Sequence, residues 1–343
     1  MPNKRVTMQD IANACGLSRN TVSKVFNGRG AVPPATKMLI LKKAEELGYG
    51  LPFDDKTSPS QNPQKTIALL TCNIPVDYHF GTYFTTAFTD QISRSGYTLK
   101  LFEISQEELK QQKLPPHLIP EQIAGIVGIE MFHADYLDML CSLNIPTIMI
   151  DSPIKTSEEL MTCDFVLMEN VNAVVALIKG LLHAGAKSIG FVGDRNHCGS
   201  FNERWSGYVL GLTRAGLSVQ EQICILKEDS SPYNDADWLI GQLNAMPFLP
   251  DAFGCANDYL AIHLMNALKK KGLSIPRDIM VTGFDGTSQS ALVTPALTTV
   301  RIPSLEIGRM AADFLLARIR NPEMPYHWTH VKTTPIWRES TRT

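Results

Sequence analysis

The chain has 343 residues, of which 44% are hydrophobic and 19% are charged. A chain of this length exceeds what one hydrophobic core usually supports, so two or three domains are expected. No apolar run approaches the roughly 18 residues that span a bilayer, and the opening MPNKRVTMQD contains no apolar signal segment. This composition excludes a membrane-spanning protein and favours a cytoplasmic one.

The seven cysteines are scattered singly, without a CxxC pair, and their number is odd. This spacing argues against a disulfide framework and against a structural zinc site. We therefore expect reduced, mostly buried thiols, and neither a metal site nor a cofactor.

The formal net charge of −2 is unevenly distributed along the chain. Residues 1–50 contain eight Lys or Arg residues against three acidic ones, so this segment is basic and the remainder is acidic. A basic head on an acidic body indicates that the head binds a polyanion.

The first predicted helix lies near the start of the basic head. Thr7 is a good N-cap, and Asp10, three residues later, completes a variant capping box, so the helix begins at Met8. Gly16 supplies the positive φ with which helices often end. The apolar face of this helix consists of Met8, Ile11, Ala12 and Cys15.

Two further short helices follow. Ser18 and Thr21 start the second helix, and a third begins after the two prolines at 33–34 and runs to Gly48. The buried stripe of the second helix is predicted to be Val22, Val25 and Phe26. Three short helices around one apolar centre, with a glycine turn between the first two, predict a helix-turn-helix unit over residues 1–50.

The outer face of the second helix carries the predicted DNA contacts. With the apolar stripe inward, Arg19, Asn20, Ser23 and Lys24 remain exposed near the helix start, where a recognition helix meets base edges. Arg and Lys can pair with guanine and Asn with adenine, while hydroxyls suit phosphates. The alternative is a solvated helical bundle without a ligand. The complete set of expected DNA-binding residues is Thr7, Ser18, Arg19, Asn20, Thr21, Ser23, Lys24 and Asn27.

The stretch VTMQDIANACGLSRNTVSKVFNG, followed by EELGY, closely resembles the DNA-binding head of the lactose/galactose repressor family of bacterial transcription regulators. The resemblance implies a protein that binds a roughly palindromic operator as a homodimer. It also implies a hinge helix after the head, whose leucine enters the minor groove.

Residues 51–65 are predicted to be a linker, because they are rich in Pro, Ser, Asn and Gln. This segment departs from the family pattern. Pro59 and Pro63 oppose a helix, and Asp54 and Asp55 repel phosphate. No leucine follows position 51 in this segment, so Phe53 is the candidate for a wedge, although it is more simply explained as packing on its own domain.

Residues 66–343 alternate short apolar runs with longer amphipathic ones. This alternation predicts parallel sheets with helices on both faces. Two such sets, separated by a connection near CDFVLMEN, predict two lobes with a cleft between the carboxyl ends of their strands. ICILKED is counted among the strands of the second set.

Polar residues follow several of these strands. SIGFVGD ends at Asp194, Arg204 lies near the start of the next helix, DAFGCAND ends at Asn257 and Asp258, and VTGFDG carries Asp285. Such groups supply the directional hydrogen bonds that a polyhydroxylated or charged small molecule needs. An Asp after a strand is also often a helix N-cap or a turn former.

The family resemblance extends over the body through FVGD, ERWSGY, CAND, VTGFDG, PALTTVRIP and PIWRESTRT. It implies a core similar to periplasmic binding proteins, with strands crossing near residues 163, 297 and 327. The first lobe then comprises about 66–162 and 298–326, and the second about 163–297 and 327–343. The effector-binding residues expected from the resemblance and from the loop after the first strand are Tyr78, His79, Phe80, Asp151, Arg204, Asn257 and Asp285.

Other functional classes lack their characteristic sequence features. No GxGxxG follows a first strand, and neither GxxxxGK[ST] nor GxSxG is present, so we expect no catalytic residues. A solute-binding receptor has no use for the basic head. The resemblance implies a regulator, most often a repressor, whose effector is a sugar or sugar phosphate; a corepressor-dependent regulator of nucleotide or other metabolism is the alternative. The chain ends without a further leucine-heptad helix, which favours a dimer.

Overall fold

The computed structural model describes residues 7–26, 33–47, 65–72, 80–154 and 162–342. The chain divides into two compact units, Met1–Asn62 and Pro63–Thr343. No helix in the described ranges is long and apolar enough to cross a membrane.

The first unit contains three helices in its described part. They are α1 (Met8–Cys15), α2 (Arg19–Phe26) and α3 (Pro34–Glu46). Their shared core consists of Ile11, Ala12, Val22, Ile40 and Ala44, all fully buried. The predicted starts of α1 and α2 agree with the hydrogen bonds, and Gly16 ends α1 with φ of +66°. The third helix was predicted to begin after the two prolines, but it begins at Pro34 itself.

The larger unit begins with a lobe built on a six-stranded parallel sheet. Its strands are ordered β10-β5-β4-β3-β1-β2, and all five pairings are parallel. The elements of this lobe are β1 (Thr66–Thr71), α4 (Phe80–Arg94), β2 (Thr98–Glu103), α5 (Gln106–Gln111), β3 (Ile123–Ile129), α6 (Ala134–Ser142), β4 (Thr147–Ile150), β5 (Asp164–Met168), and later in the chain α12 (Ser304–Arg320) and β10 (Trp328–Val331).

The second lobe contains a three-stranded parallel sheet in the order β6-β7-β8 and a two-stranded antiparallel pair, β11-β9. Its elements are α7 (Val171–His183), β6 (Ile189–Val192), α8 (Gly199–Arg214), α9 (Ala236–Asn244), β7 (Ala252–Cys255), α10 (Asp258–Lys270), β8 (Met280–Thr282), α11 (Ser288–Leu292), β9 (Thr299–Arg301) and β11 (Thr334–Ile336). The predicted class, a helical head with a parallel α/β core of two lobes, is confirmed.

The segment CDFVLMEN differs from its prediction as a connection. It forms β5, whose five residues are buried between β4 and β10. The strand begins with Asp164, which a sequence pattern assigns more readily to a loop. The structure accommodates this carboxylate because the guanidinium of Arg318 on α12 pairs with both of its oxygens at 3.0 Å.

The passages between the lobes lie later in the chain than predicted. The pairings place β5 and β10 in the first sheet, while β9 pairs with β11 in the second lobe. The chain therefore crosses after residues 168, 301 and 331, not near 163, 297 and 327. Each of these strands forms its backbone hydrogen bonds within one lobe before the chain passes to the other lobe. The boundary between the lobes therefore lies at the end of the strand.

ICILKED is not a full strand. Residues Glu221–Ile223 form a 3-10 turn, and Ile225 makes one parallel bridge to Val192. The carbonyl of Ile223 lies 2.3 Å from where a Cβ on Gly190 would stand, so this segment passes close beside β6. The seven cysteines are free thiols, and four of them are buried.

Candidate functional site

The start of α2 is fixed by a pair of hydroxyl side chains. The Oγ atom of Ser18 accepts a hydrogen bond from the backbone N–H of Thr21 at 3.1 Å and lies 2.8 Å from Thr21 Oγ1. Ser18 thereby caps the helix and satisfies one of its free N–H groups. Because this cap sets the first turn, it also sets the direction of the side chains at 19 and 20.

The exposed face of α2 carries the predicted reading residues. Arg19, Asn20 and Lys24 are exposed, while Thr21 and Ser23 are half-buried. Val22 on the opposite side is fully buried, and Val25 packs against the head core. A guanidinium, an amide and an ammonium therefore lie together on one face near the start of a short helix. Asn27 lies outside the described residues.

Thr7 has a local structural partner. Its hydroxyl and its backbone N–H both donate to Asp10 Oδ2 at 2.7 Å, which completes the predicted capping box. The residue is exposed, so capping leaves room for a contact with a phosphate.

A cavity of about 540 Å³ lies between the two lobes of the larger unit. Strand ends of both lobes face it. Glu130 follows β3 and Asp151 follows β4 in the first lobe, while Asn257 and Asp285 follow strands of the second. The arrangement follows the rule that ligands of open α/β sheets bind beyond the carboxyl ends of the strands.

Arg204 is the most constrained polar side chain of this cleft. It lies on α8, is 3% exposed, and donates through Nε to Asn170 Oδ1 at 2.9 Å and through Nη1 to the carbonyl of Ala256 at 2.7 Å. Its guanidinium carbon lies 3.8 Å from the ring centre of Phe284. These contacts fix the plane of the guanidinium.

Asp285 is the ionic partner of Arg204. Its Oδ1 atom lies 3.3 Å from Arg204 Nη1, and its backbone has φ of +116°, a conformation that residues other than glycine rarely adopt. Burial raises the pKa of the Asp285 carboxyl to about 7, although the Arg204 guanidinium opposes this; Asp258 and Glu130 raise it further. A carboxyl with a pKa near neutrality, held in a strained backbone at a cleft, has the features of a ligand-binding group.

Asn257 and Asp258 follow the same strand but have different roles. Asn257 caps α10 by accepting from the N–H of Leu260 at 2.9 Å, and it lines the cavity. Asp258 is 1% exposed and accepts from the N–H and hydroxyl of Thr287 and from the hydroxyl of Thr299. Burial raises the pKa of Asp258. Asp258 therefore stabilises the loop after Asp285 through hydrogen bonds and is a structural residue.

Asp194 is also structural. Its oxygens accept from the N–H groups of Asn196 and Asp229, at 2.8 and 3.1 Å, so it shapes the loops after β6. These contacts agree with the alternative reading that an Asp after a strand is a turn former.

Several cavity residues were not singled out from the sequence. Each of them has an aromatic ring or a carboxylate, and each lies in a loop or in the first turn of a helix. They are Glu130, Phe132, His197, Phe201, Asp229, Tyr233 and Tyr259. The ring of His197 lies between Phe132 and Phe201, with centroids at 5.1 Å from each. Its Nδ1 lies 3.5 Å from Asp229 Oδ2. Glu130 was detectable as the residue that ends IAGIVGIE, whereas the loop residues had no sequence signal.

Two of the predicted cleft residues immediately precede α4 in the chain. Tyr78 and His79 lie outside the described residues. Phe80 was predicted to lie in a loop, but it is the first residue of α4. Its side chain is not among the described parts of the chain. No group of three or more His, Cys, Asp or Glu side chains that could hold a metal ion occurs within the described parts of the chain.

Comparisons with known proteins agree with the division of the chain into a helical head and a larger α/β unit. Residues 7–50 match the model of the bacterial regulatory proteins of the lacI family, and residues 178–341 match that of a periplasmic binding protein-like domain. The HTH-type transcriptional repressor PurR of Glaesserella parasuis serovar 5 (strain SH0165) is 27% identical over 315 residues, which cover 92% of this chain and 90% of that protein.

Solved structures share the fold at lower identity. A complex of the transcriptional regulator CelR with cellobiose has a TM-score of 0.71 and 22% identity, covering 98% of this chain and all of that one. A lac repressor dimer bound to operator and the anti-inducer ONPF has a TM-score of 0.71 and 21% identity, covering 99% of this chain and all of that one.

Proposed function

Since the chain belongs to the lacI family of bacterial regulatory proteins and is a DNA-binding transcription regulator, we propose that it represses transcription under the control of a small polyhydroxylated effector bound between its lobes. The observation that carries this proposal is the exposed group of Arg19, Asn20 and Lys24 on a capped helix of the basic head. No catalytic step belongs to the mechanism.

The proposed DNA complex contains two copies of the chain. Two heads address the two half-sites of a roughly palindromic operator, which matches a twofold protein to a twofold site. The lac repressor dimer bound to operator offers a precedent for DNA binding by a dimer in a protein of the same fold. The proposed DNA-contacting set includes Asn27 with the residues of α2 and Thr7.

The charges of the cleft favour an uncharged effector over a phosphorylated one. Four carboxyl groups line it, from Glu130, Asp151, Asp229 and Asp285, against the single guanidinium of Arg204 among the described lining residues. The pKa of Asp285 is raised to about 7, so the other three carry most of the negative charge. That guanidinium is 3% exposed and already pairs with Asp285. A phosphate entering here meets carboxylates at short range, where repulsion is weakly screened.

The same residues suit a sugar. Carboxylate and amide oxygens accept hydrogen bonds from hydroxyl groups, and the rings of Phe132, Phe201 and Tyr259 offer apolar surface to the faces of a pyranose or furanose. The cellobiose complex of CelR is a precedent on the same fold. Arg204, Asn257 and Asp285 are the proposed direct contacts.

The effector must prefer one arrangement of the protein in order to change its affinity for DNA. A coupling of about 1–3 kcal/mol between the cleft and the heads is typical of such regulators and changes operator affinity by about 5- to 150-fold.

Selection of bound duplexes from a random library tests the DNA function. We expect the purified full chain to enrich a palindromic motif and to lose affinity as salt is raised from 50 to 200 mM, by about 10³-fold or more if six phosphates are contacted. Binding that is indifferent to sequence contradicts the proposal.

Matched ligand pairs test the effector. Thermal shifts of the full chain with hexoses, pentoses and disaccharides, each beside its phosphorylated form, should show stabilisation by an unphosphorylated member. Nucleobases form the comparison set. If a phosphorylated member or a nucleobase stabilises the protein, or if no compound does, the proposed effector class is wrong. None of these results bears on the proposed DNA function.

A further inference from the structure

The helix α8 has no cap of its own. Its N-cap residue is Cys198, whose side chain makes no capping hydrogen bond. The first N–H groups of a helix need acceptors, and a negative charge beside them is favoured by the helix dipole. In α8 the first two of these N–H groups, those of Gly199 and Ser200, have their acceptors in the other lobe.

Asp151 and Ser152, which follow β4 in the first lobe, provide those acceptors. The N–H of Gly199 donates to the carbonyl of Ser152 at 2.7 Å. The N–H of Ser200 donates to Asp151 Oδ1 at 3.1 Å, and the Ser200 hydroxyl donates to Asp151 Oδ2 at 2.5 Å. Oδ1 also accepts from the N–H of Ser152 at 2.7 Å.

The backbone around this contact is shaped for it. Asp151 has φ of +67°, a left-handed conformation that is uncommon outside glycine and that holds the carboxylate towards α8. Gly199 permits the close approach, because a Cβ at this position would stand 2.2 Å from Ser152 Oγ and 2.9 Å from Ser152 O. Both features occur where the two lobes meet.

We propose that Asp151 is the N-terminal cap of α8 across the cleft, and that it acts as a positioning residue that holds the lobes together and places Arg204 one helical turn further on. This role goes beyond effector binding, and it does not depend on which ligand the cleft takes. Both oxygens of Asp151 accept hydrogen bonds from protein donors. Separation of the lobes exposes the start of α8 to water and leaves this carboxylate without its partners.

Hydrogen exchange of the full chain without ligand tests the proposal, with mass spectrometry resolving the amides of residues 199 and 200. In Asp151→Ala these amides should exchange about tenfold faster, as expected for the loss of a cap. The matched control is Asp235→Ala. Asp235 caps α9 within one lobe, through the N–H groups of Asp237 and Trp238. Its loss should accelerate only those two amides.

A second pair of variants measures the separation of the lobes. In Gly199→Ala the carboxylate remains but the added methyl collides with Ser152, so the radius of gyration from small-angle X-ray scattering should rise. Gly241→Ala on α9 is the control, since no described atom lies within 4 Å of its added Cβ. Ser200→Ala, which removes only the hydroxyl donor, provides a milder exchange test if Asp151→Ala does not fold.

Unchanged exchange at residues 199 and 200 in both Asp151→Ala and Ser200→Ala overturns the proposal. So does an equal rise in the radius of gyration for the two glycine variants. Operator binding and effector binding are measured separately, so their failure leaves these outcomes unaffected.

Discussion

The Nη1 atom of Arg204 lies 3.3 Å from Oδ1 of Asp285, and this pair joins α8 to the loop after β8 at the floor of the cleft. The guanidinium is almost wholly buried, whereas the Asp285 side chain retains 23% of its exposure. Arg204 therefore holds the carboxylate in place, and Asp285 presents it to the cavity.

Asp285→Ala should weaken effector binding and leave operator binding unchanged. Hydrogen bonds to a charged group are worth about 1.5–3 kcal/mol, so the dissociation constant should rise by tenfold to a hundredfold or more. Calorimetric titration of the effector found in the thermal-shift panel measures this loss. Asp251→Asn is the control, because Asp251 adjoins β7 and accepts from the N–H groups of Lys187 and Ser188, and none of these three residues lines the cavity. Intact affinity in Asp285→Ala removes this residue from the site.

Stability should depend on pH through Asp285. Its pKa is raised from 3.8 to about 7, so the folded state disfavours the charged form. The associated stability is fully present below pH 3.8 and is lost as pH rises through 7. Asp285→Asn removes this loss, so the variant's Tm relative to the unmodified protein should increase between pH 5 and pH 8.

Asp278→Asn is the control for that measurement. The Arg277 side chain and the N–H of Ser274 lower the pKa of Asp278 to about 2, so it is ionised in both states throughout pH 5–8. Its effect on Tm should be flat across this range. A flat profile for Asp285→Asn as well contradicts the assigned pKa.

Arg19→Ala or Asn20→Ala should change which operator the protein prefers. Loss of a bidentate base contact costs about 1–3 kcal/mol at one base position. Competition between operators that differ at single positions measures this effect. Lys42→Ala on α3, also an exposed basic residue of the head, should alter the salt dependence at most. An unchanged base preference excludes the two residues from reading bases.

The Asp164–Arg318 pair should be important for stability. Both side chains are at most 4% exposed, and removing one partner of such a pair costs about 3–5 kcal/mol. Asp164→Ala should therefore lower the free energy of unfolding by that amount in denaturant titrations. Asp90→Ala breaks the exposed Asp90–Arg94 pair and should cost less than about 1 kcal/mol. Similar losses in the two variants contradict this ranking.

The sequence predicted most of the architecture because local signals agree with the fold. The capping box at Thr7, the glycine stop at Gly16 and the alternation of apolar strands with amphipathic helices are each encoded within a few residues. The β5 strand was missed because its first residue is charged, and the compensating Arg318 lies 154 positions away. A partner at that distance leaves no local pattern.

The cleft shows the same contrast between local and distant information. Asn257 and Asp285 were predicted to line a cleft because they follow strands, and both line the cavity. His197 and Phe201 enter it through tertiary packing, which spacing along the chain does not report. Asp151, which closes PTIMID, was expected from the family resemblance, but its pairing with Ser200 depends on the meeting of two lobes.

The position of β10 has a consequence for biosynthesis. This strand covers β5 at the edge of the first sheet, yet its residues, Trp328–Val331, emerge from the ribosome more than 150 residues after β5. During translation the β5 edge therefore waits with unpaired backbone groups while the second lobe is being made, a period of roughly 8–30 s at usual elongation rates. Correct folding of the nascent chain therefore requires that no other strand pairs with the β5 edge before β10 has been synthesised.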